Sequence, residues 1–160
     1  MRSTSKYDPQ LVQERGARKL AEKTAEALND RALTATAMAS LAPTPERHPP
    51  DAANDGRFST MYSPGDLTRT NDEWIELKWK DPQRIKKVVA SFAQHPSMHG
   101  RTIHLQQESA AGSWHDIATA TIPNDGAAVH ALATIELPKP IEANKIRLVN
   151  LFDLNEIEVY

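Results

Sequence analysis

The sequence contains no cysteine. A disulfide scaffold, a thiolate metal centre and a cysteine nucleophile are excluded together. It also lacks any apolar run near the ~18 residues that a membrane-spanning helix needs. Charge of one sign is missing too: 19 Lys and Arg stand against 21 Asp and Glu, a net charge of -2. With only 3 Trp, 3 Tyr and 3 Phe, such a near-neutral chain has no overall footprint for nucleic acid. The opening MRSTSKYDPQ has no apolar segment, so no export signal is expected in this chain. What is present is 160 residues, 39% hydrophobic, enough for one domain of ordinary size and a short appendage.

Two unequal parts are expected, an N-terminal helix and linker over residues 1–31 and a larger domain over 32–160. Within 8–30, Asp8 can cap a helix and Pro9 suits its first position, where the missing N–H costs nothing. Leu20, Ala21, Thr24, Ala25 and Leu28 then mark one narrow apolar face. Beyond it, Leu33–Ala39 reads as a strand. Pro43, Pro45, Pro49 and Pro50 then forbid a helix or a central strand.

From Asp55 onward the chain alternates with period 2. Ile75, Leu77 and Trp79 interleave with Glu76 and Lys78; Val88, Ala90 and Phe92 with Val89 and Ser91; Ile103 and Leu105 with His104 and Gln106. Ala133, Ile135 and Leu137, then Ile146 and Leu148, then Ile157 and Val159, repeat the pattern. Half-buried antiparallel strands alternate in this way. Turn signals fall between them: SPGD at 63–66, DPQ at 81–83, HPSMHG at 95–100, SAAGS at 109–113, PNDG at 123–126 and LPKP at 137–140. Short strands at this spacing argue for an all-β sandwich or jelly roll.

Catalytic signatures are scarce. The chain has no G-x-S-x-G elbow and no glycine-rich phosphate loop. His95 and His99 have the i, i+4 spacing of a helical zinc pair, but Pro96 and Gly100 argue against a helix there. His104 falls on the polar face of a strand. The pairs Asp72–Glu73 and Glu156–Glu158 read as solvated strand-edge charges rather than glycosidase acids. One constellation is richer. Asn54-Asp55-Gly56-Arg57-Phe58-Ser59-Thr60 packs a carboxylate, a turn glycine and hydroxyls together. Such a turn can aim carboxylate, carbonyl and hydroxyl oxygens at one point, as Ca²⁺ requires. It is not an EF-hand loop, and composition by itself reads it as a plain turn.

Here the sequence resembles the discoidin domain, the coagulation-factor type C domain, which is close to carbohydrate-binding module family 32. The resemblance runs through Asp55-Gly56-Arg57-Phe58-Ser59-Thr60-Met61-Tyr62, Glu73-Trp74-Ile75-Glu76-Leu77, Pro82 to Ile85 with Val88-Val89, and Ser113-Trp114-His115-Asp116-Ile117. It closes with Arg147-Leu148-Val149-Asn150 and Leu154-Asn155-Glu156-Ile157-Glu158-Val159-Tyr160. Five motifs occur in the family's order over residues 32–160, although Tyr62 stands for the usual Trp and Leu77-Lys78-Trp79 for the usual D-L-G.

The resemblance implies an eight-stranded antiparallel jelly-roll β-sandwich of the galactose-binding type. It implies a structural Ca²⁺ held by Asp55, Thr60, Glu156 and carbonyls at Ala52 and Arg57. It implies a ligand end where an aromatic ring stacks on a sugar and polar side chains take its hydroxyls. The candidates there are Tyr62, Arg69, His95, His99, Arg101 and Phe152. Trp74 and Trp114 are assigned to the core, and Trp79 is expected to pack on the N-terminal helix or lie exposed. The expected function is a non-catalytic carbohydrate-binding module, an accessory C-terminal domain of a larger secreted or cell-surface protein, outside the cell or in the periplasm. Its partners would be a glycan and an adjacent domain of its parent, without nucleic acid or a membrane span. The alternative is a structural domain that packs on its parent enzyme and has no sugar site.

Overall fold

The structure is a computed structural model of the chain and describes residues 29–40, 48–63, 73–93, 99–123, 130–151 and 153–160. The chain divides into two compact units, Met1–Asp30 and Arg31–Tyr160, and all six strands belong to the second. The helix expected over residues 8–30 lies outside the described residues except for Asn29 and Asp30, which are not helical.

The strands are β1 (Thr36–Ala39), β2 (Trp74–Ala93), β3 (Thr102–Glu108), β4 (Trp114–Thr121), β5 (His130–Val149) and β6 (Glu156–Val159). Every pairing is antiparallel, in the order β1-β2-β5-β3-β4, with β6 added to β2. The strand expected over Leu33–Ala39 begins later. Arg31–Thr34 form a 3-10 turn instead, and only Thr36–Ala39 pair with β2.

β2 and β5 are each 20 residues long, far beyond the usual strand of about five or six. The first part of β2, Ile75 to Lys78, lies between β1 and the end of β5. Its later part, Val88 to Ser91, lies between β6 and the start of β5. One long antiparallel pair, β2 with β5, therefore runs past both β1 and β6.

Among the described residues six strands stand where eight were expected, and two expected turns are corrected. Neither DPQ at 81–83 nor LPKP at 137–140 is a turn; both lie inside continuous strands. The register shifts between Lys78 and Gln83 and again between Ile85 and Lys87. Pro82, Pro138 and Pro140 occupy the residues skipped by the ladder, where a missing N–H breaks no pairing. The shifts also reverse the side-chain phase. Ile75, Leu77, Trp79 and Ile85 are buried on odd numbers, then Val88, Ala90 and Phe92 on even ones. A one-residue slip exchanges the two faces of a strand, so both parts of β2 turn their apolar side to the same core.

That core holds Phe92, Ile103, Leu105, Ile146, Leu148, Leu151, Ile157 and Val159 with the residues above. Trp79 is in it, 3% exposed, and its Nε1–H donates to the Arg31 carbonyl at 2.8 Å. The alternative that it lies exposed is thereby corrected. Leu148→Ala should cost about 2–5 kcal/mol of unfolding free energy in urea melts, since Leu148 is 1% exposed. A loss below about 1 kcal/mol would contradict this packing.

Candidate functional site

A short 3-10 turn, Pro50–Ala53, delivers the chain to Asn54. The Asn54 side chain donates to the carbonyls of Ala32 and Ala35 at 2.8 and 2.9 Å, which anchors the loop on the strand side. Gly56 follows with φ 77°, in the left-handed region. A Cβ there would also come within 3.2 Å of Leu33 Cδ2. Glycine thus lets the loop reverse while its N–H donates to Glu156 Oε1 at 3.0 Å, 100 residues away.

The loop then gathers oxygen. Thr60 Oγ1 lies 2.7 and 2.9 Å from the two Asp55 carboxylate oxygens, 3.1 Å from the Arg57 carbonyl and 3.4 Å from the Ala52 carbonyl. A hydroxyl has one hydrogen, which cannot serve four acceptors. The Arg57 N–H also donates to Asp55 Oδ1 at 2.9 Å; this cluster of carboxylate, carbonyl and hydroxyl oxygens is of the kind that could hold a hard divalent cation. Four of the expected ligand residues, Ala52, Asp55, Arg57 and Thr60, converge here. The fifth, Glu156, is 1% exposed and bonds the adjacent Gly56. No group of three or more His, Asp or Glu able to hold a metal occurs among the described residues, so imidazole-type metal chemistry has no such site there.

The closing segment is bound to the same loop. Tyr62 and Leu154 exchange backbone hydrogen bonds at 2.8 and 3.0 Å. The Asn155 side chain donates to the carbonyls of Phe58 and Thr60 at 3.1 and 3.2 Å. Tyr62 itself is 1% exposed, so the expectation that it faces a ligand is corrected: its ring belongs to the core. Burial, reinforced by the negative charges of Glu73 and Asp153, pushes its phenol from 10.0 up to about 12.

His99 and Arg101 lie in the segment that leads into β3. Backbone bonds from Gly100 to Ile122 and from Ile122 to Arg101 hold it. Arg69, His95 and Phe152 are outside the described residues. Nearby, Asn150 has φ 73°, and its side chain donates to the Thr102 carbonyl at 2.7 Å. It ends β5 and ties that end to the start of β3. The sequence reading missed it.

The face of these strands turned away from the core holds another correction. Trp74 and Trp114 are only partly buried and lie outside the core. The Arg147 guanidinium stacks on both, 3.7 and 4.0 Å from their ring centroids, while its Nε donates to Glu76 at 3.2 Å. The signal was in the alternation: Trp74 shares the phase of Glu76 and Lys78, and Trp79 that of Ile75 and Leu77. On the same face, Asp116 accepts from Gln106 at 2.9 Å and pairs with His104 Nδ1 at 2.7 Å. These contacts, Gln106 foremost, hold its carboxyl below the usual range.

The family model for the F5/8 type C domain matches residues 34–155. No curated protein matches the chain. Among solved structures, it is similar to the family 32 module of Clostridium perfringens NanJ, solved with galactose: 14% identity, TM-score 0.65, covering 80% of this chain and 94% of that one. A module of the C. perfringens protein CpGH89, solved with GalNAc-β-1,3-galactose, gives 16% identity and TM-score 0.63, covering 81% and 96%. The two family 32 modules and catalytic domain of C. perfringens ZmpB give 14% identity and TM-score 0.61, covering 80% of this chain and 14% of that one. At such identities the likeness is one of fold.

The Tyr62 phenol provides a test. Its raised value means that the fold favours the neutral ring; that contribution is whole below about pH 10 and is lost as pH rises through about 12. A difference absorbance titration of wild type against Tyr62→Phe should therefore place its ionisation near 12. A midpoint at 10.0 would show an exposed ring.

Proposed function

Because the chain belongs to the F5/8 type C domain family, we propose that it is a non-catalytic carbohydrate-binding module, whose ligand end carries Arg69, His95, His99, Arg101 and Phe152. The observation that carries this reading is the shared sandwich with family 32 modules solved with galactose and GalNAc-β-1,3-galactose. The chemistry of the set agrees with it. The C–H face of a sugar is apolar and packs on aromatic carbon, a role for Phe152. Hydroxyls need directional donors and acceptors, which imidazole and guanidinium groups supply. With Tyr62 in the core, Phe152 is the one aromatic left in this set.

The acidic loop belongs to the same reading as a structural Ca²⁺ site, with Asp55, Thr60, Glu156 and the carbonyls of Ala52 and Arg57 as its ligands. When bound, the ion supplies positive charge to an oxygen cluster that has too few protons. It joins the opening loop to the closing strand and stabilises the folded state by mass action. As an accessory domain the module would tether a larger secreted or cell-surface protein, outside the cell or in the periplasm. The arrangement of ZmpB, where two such modules accompany a catalytic domain, supports that context.

Titration with galactose and N-acetylgalactosamine should show millimolar binding that Phe152→Ala abolishes. No binding of any neutral sugar, with Phe152→Ala silent, would favour a domain that only packs on its parent. For the metal, a chelator should lower the melting temperature by several degrees, and Asp55→Ala should melt alike with Ca²⁺ or chelator. A wild-type melt indifferent to chelator would remove the ion from the account.

A further inference from the structure

β4 stands at one end of the strand order, with β3 as its one neighbour among the described residues. The other strands with a single neighbour, β1 and β6, are four residues each, whereas β4 has eight. Edge strands are usually blunted by brevity, proline or lysine. The later part of β4, Ala118 to Thr121, and Ile122 after it carry no charge, proline or glycine. Before this run, the register shift opposite Leu105 and Gln106 leaves Ile117 unpaired, so the regular edge is short.

Hydrogen bonds at the end of this run fix which way its peptide groups face. Ile122 donates its N–H to the Arg101 carbonyl at 2.8 Å and accepts from the Gly100 N–H at 2.9 Å, both on the β3 side. The Thr102 carbonyl is taken by the Asn150 side chain, on the side of β5. An antiparallel ladder alternates from there. Ala118 and Ala120, opposite Leu105 and Ile103, turn their N–H and C=O to β3. Thr119 and Thr121 turn theirs out of the sheet, and both residues are exposed. Among the described residues no strand or loop bonds these outward groups.

We propose that this edge pairs with the same edge of a second copy of the chain, antiparallel about a two-fold axis at Ala120, in a weak dimer with one continuous sheet. In that register Thr119 faces the partner's Thr121 on either side of the axis, and each pair exchanges both N–H···O bonds. Ala120 meets the partner's Ala120 as a non-hydrogen-bonded pair, where the Cα atoms approach to about 4.5 Å and a methyl fits. Ala118 meets the partner's Ile122, small against large. Paired threonines favour an antiparallel sheet, and no like charges are opposed. A foreign strand would gain its specificity from side-chain pockets beside the edge. The side chains here are Ala and Thr, so what complements the edge is the edge itself. A two-fold pairing consumes both edges and closes. The dimer uses neither the sugar site nor the cation and stands or falls separately from them.

Sedimentation equilibrium of the full chain without sugar, from about 10 µM to about 1 mM, tests this, with amide exchange at both limits. An interface one strand wide belongs with small, transient ones, so dissociation on the order of 0.1 mM is expected. Mean mass should climb from that of one chain toward that of two. The Thr119 and Thr121 amides should exchange freely at the low limit and about fivefold more slowly at the high one, while Ala118 and Ala120 stay protected at both. Thr119→Pro removes an outward N–H where an edge tolerates proline, and Thr119→Lys sets like charges beside the axis. Each, with an unchanged melting temperature, should stay monomeric, and Thr119→Val, which keeps the backbone bonds, should dimerise like wild type. Wild type that remains monomeric at about 1 mM would overturn the proposal. So would a dimer whose Thr119 and Thr121 amides exchange as fast as in the monomer, or a folded Thr119→Lys that dimerises like wild type.

Discussion

The loop end of the sandwich is closed by a tie between residues 100 apart, the Gly56 N–H and the Glu156 carboxylate. Around it, the Tyr62–Leu154 bridge and the Asn155 side chain fasten the opening loop to the closing strand. Each neutral hydrogen bond contributes only about 0.5–1.5 kcal/mol net. Their effect comes from acting together on a loop that also collects acceptor oxygens. Asp55, Thr60 and the neighbouring carbonyls crowd one hydroxyl, and mutual repulsion among those oxygens is relieved most simply by a cation. The proposed metal site thus lies where the opening loop meets the closing strand.

A second constraint is the long antiparallel pairing of β2 with β5. Because both strands pass through both layers, the phase of their side chains has to reverse at the bend. The register shifts achieve this, and the prolines occupy residues where the ladder asks for no N–H. The same bend leaves a stretch of β2 with neither β1 nor β6 beside it. That stretch carries the exposed cations Lys80, Arg84 and Lys86.

Much of this was legible in the sequence. Period-2 alternation located the strands at 75–79, 88–92, 103–105, 133–137, 146–148 and 157–159, since burial on one face imposes it. The motif order carried the fold and the convergence of Ala52, Asp55, Arg57 and Thr60. Proline was ambiguous, because it marks a turn and an unpaired strand residue equally well; only the register separates the two. The tryptophans were misassigned by residue type, although their phase was readable: Trp74 lies with the polar face and Trp79 with the apolar one. Tyr62 gave no such signal. It sits in an isolated bridge, where no periodicity announces burial. Asn150 was equally silent, since its left-handed backbone and its bond to Thr102 arise only once β3 and β5 are aligned.

The most direct test of the account is amide hydrogen exchange with and without Ca²⁺. Chelation should release the amides of Gly56, Tyr62, Leu154 and Asn155 as one group and leave Ile75 and Leu148 protected. Exchange at those four amides that is unchanged by chelation, or that rises equally throughout the sandwich, would contradict a cation-closed tie between the opening loop and the closing strand.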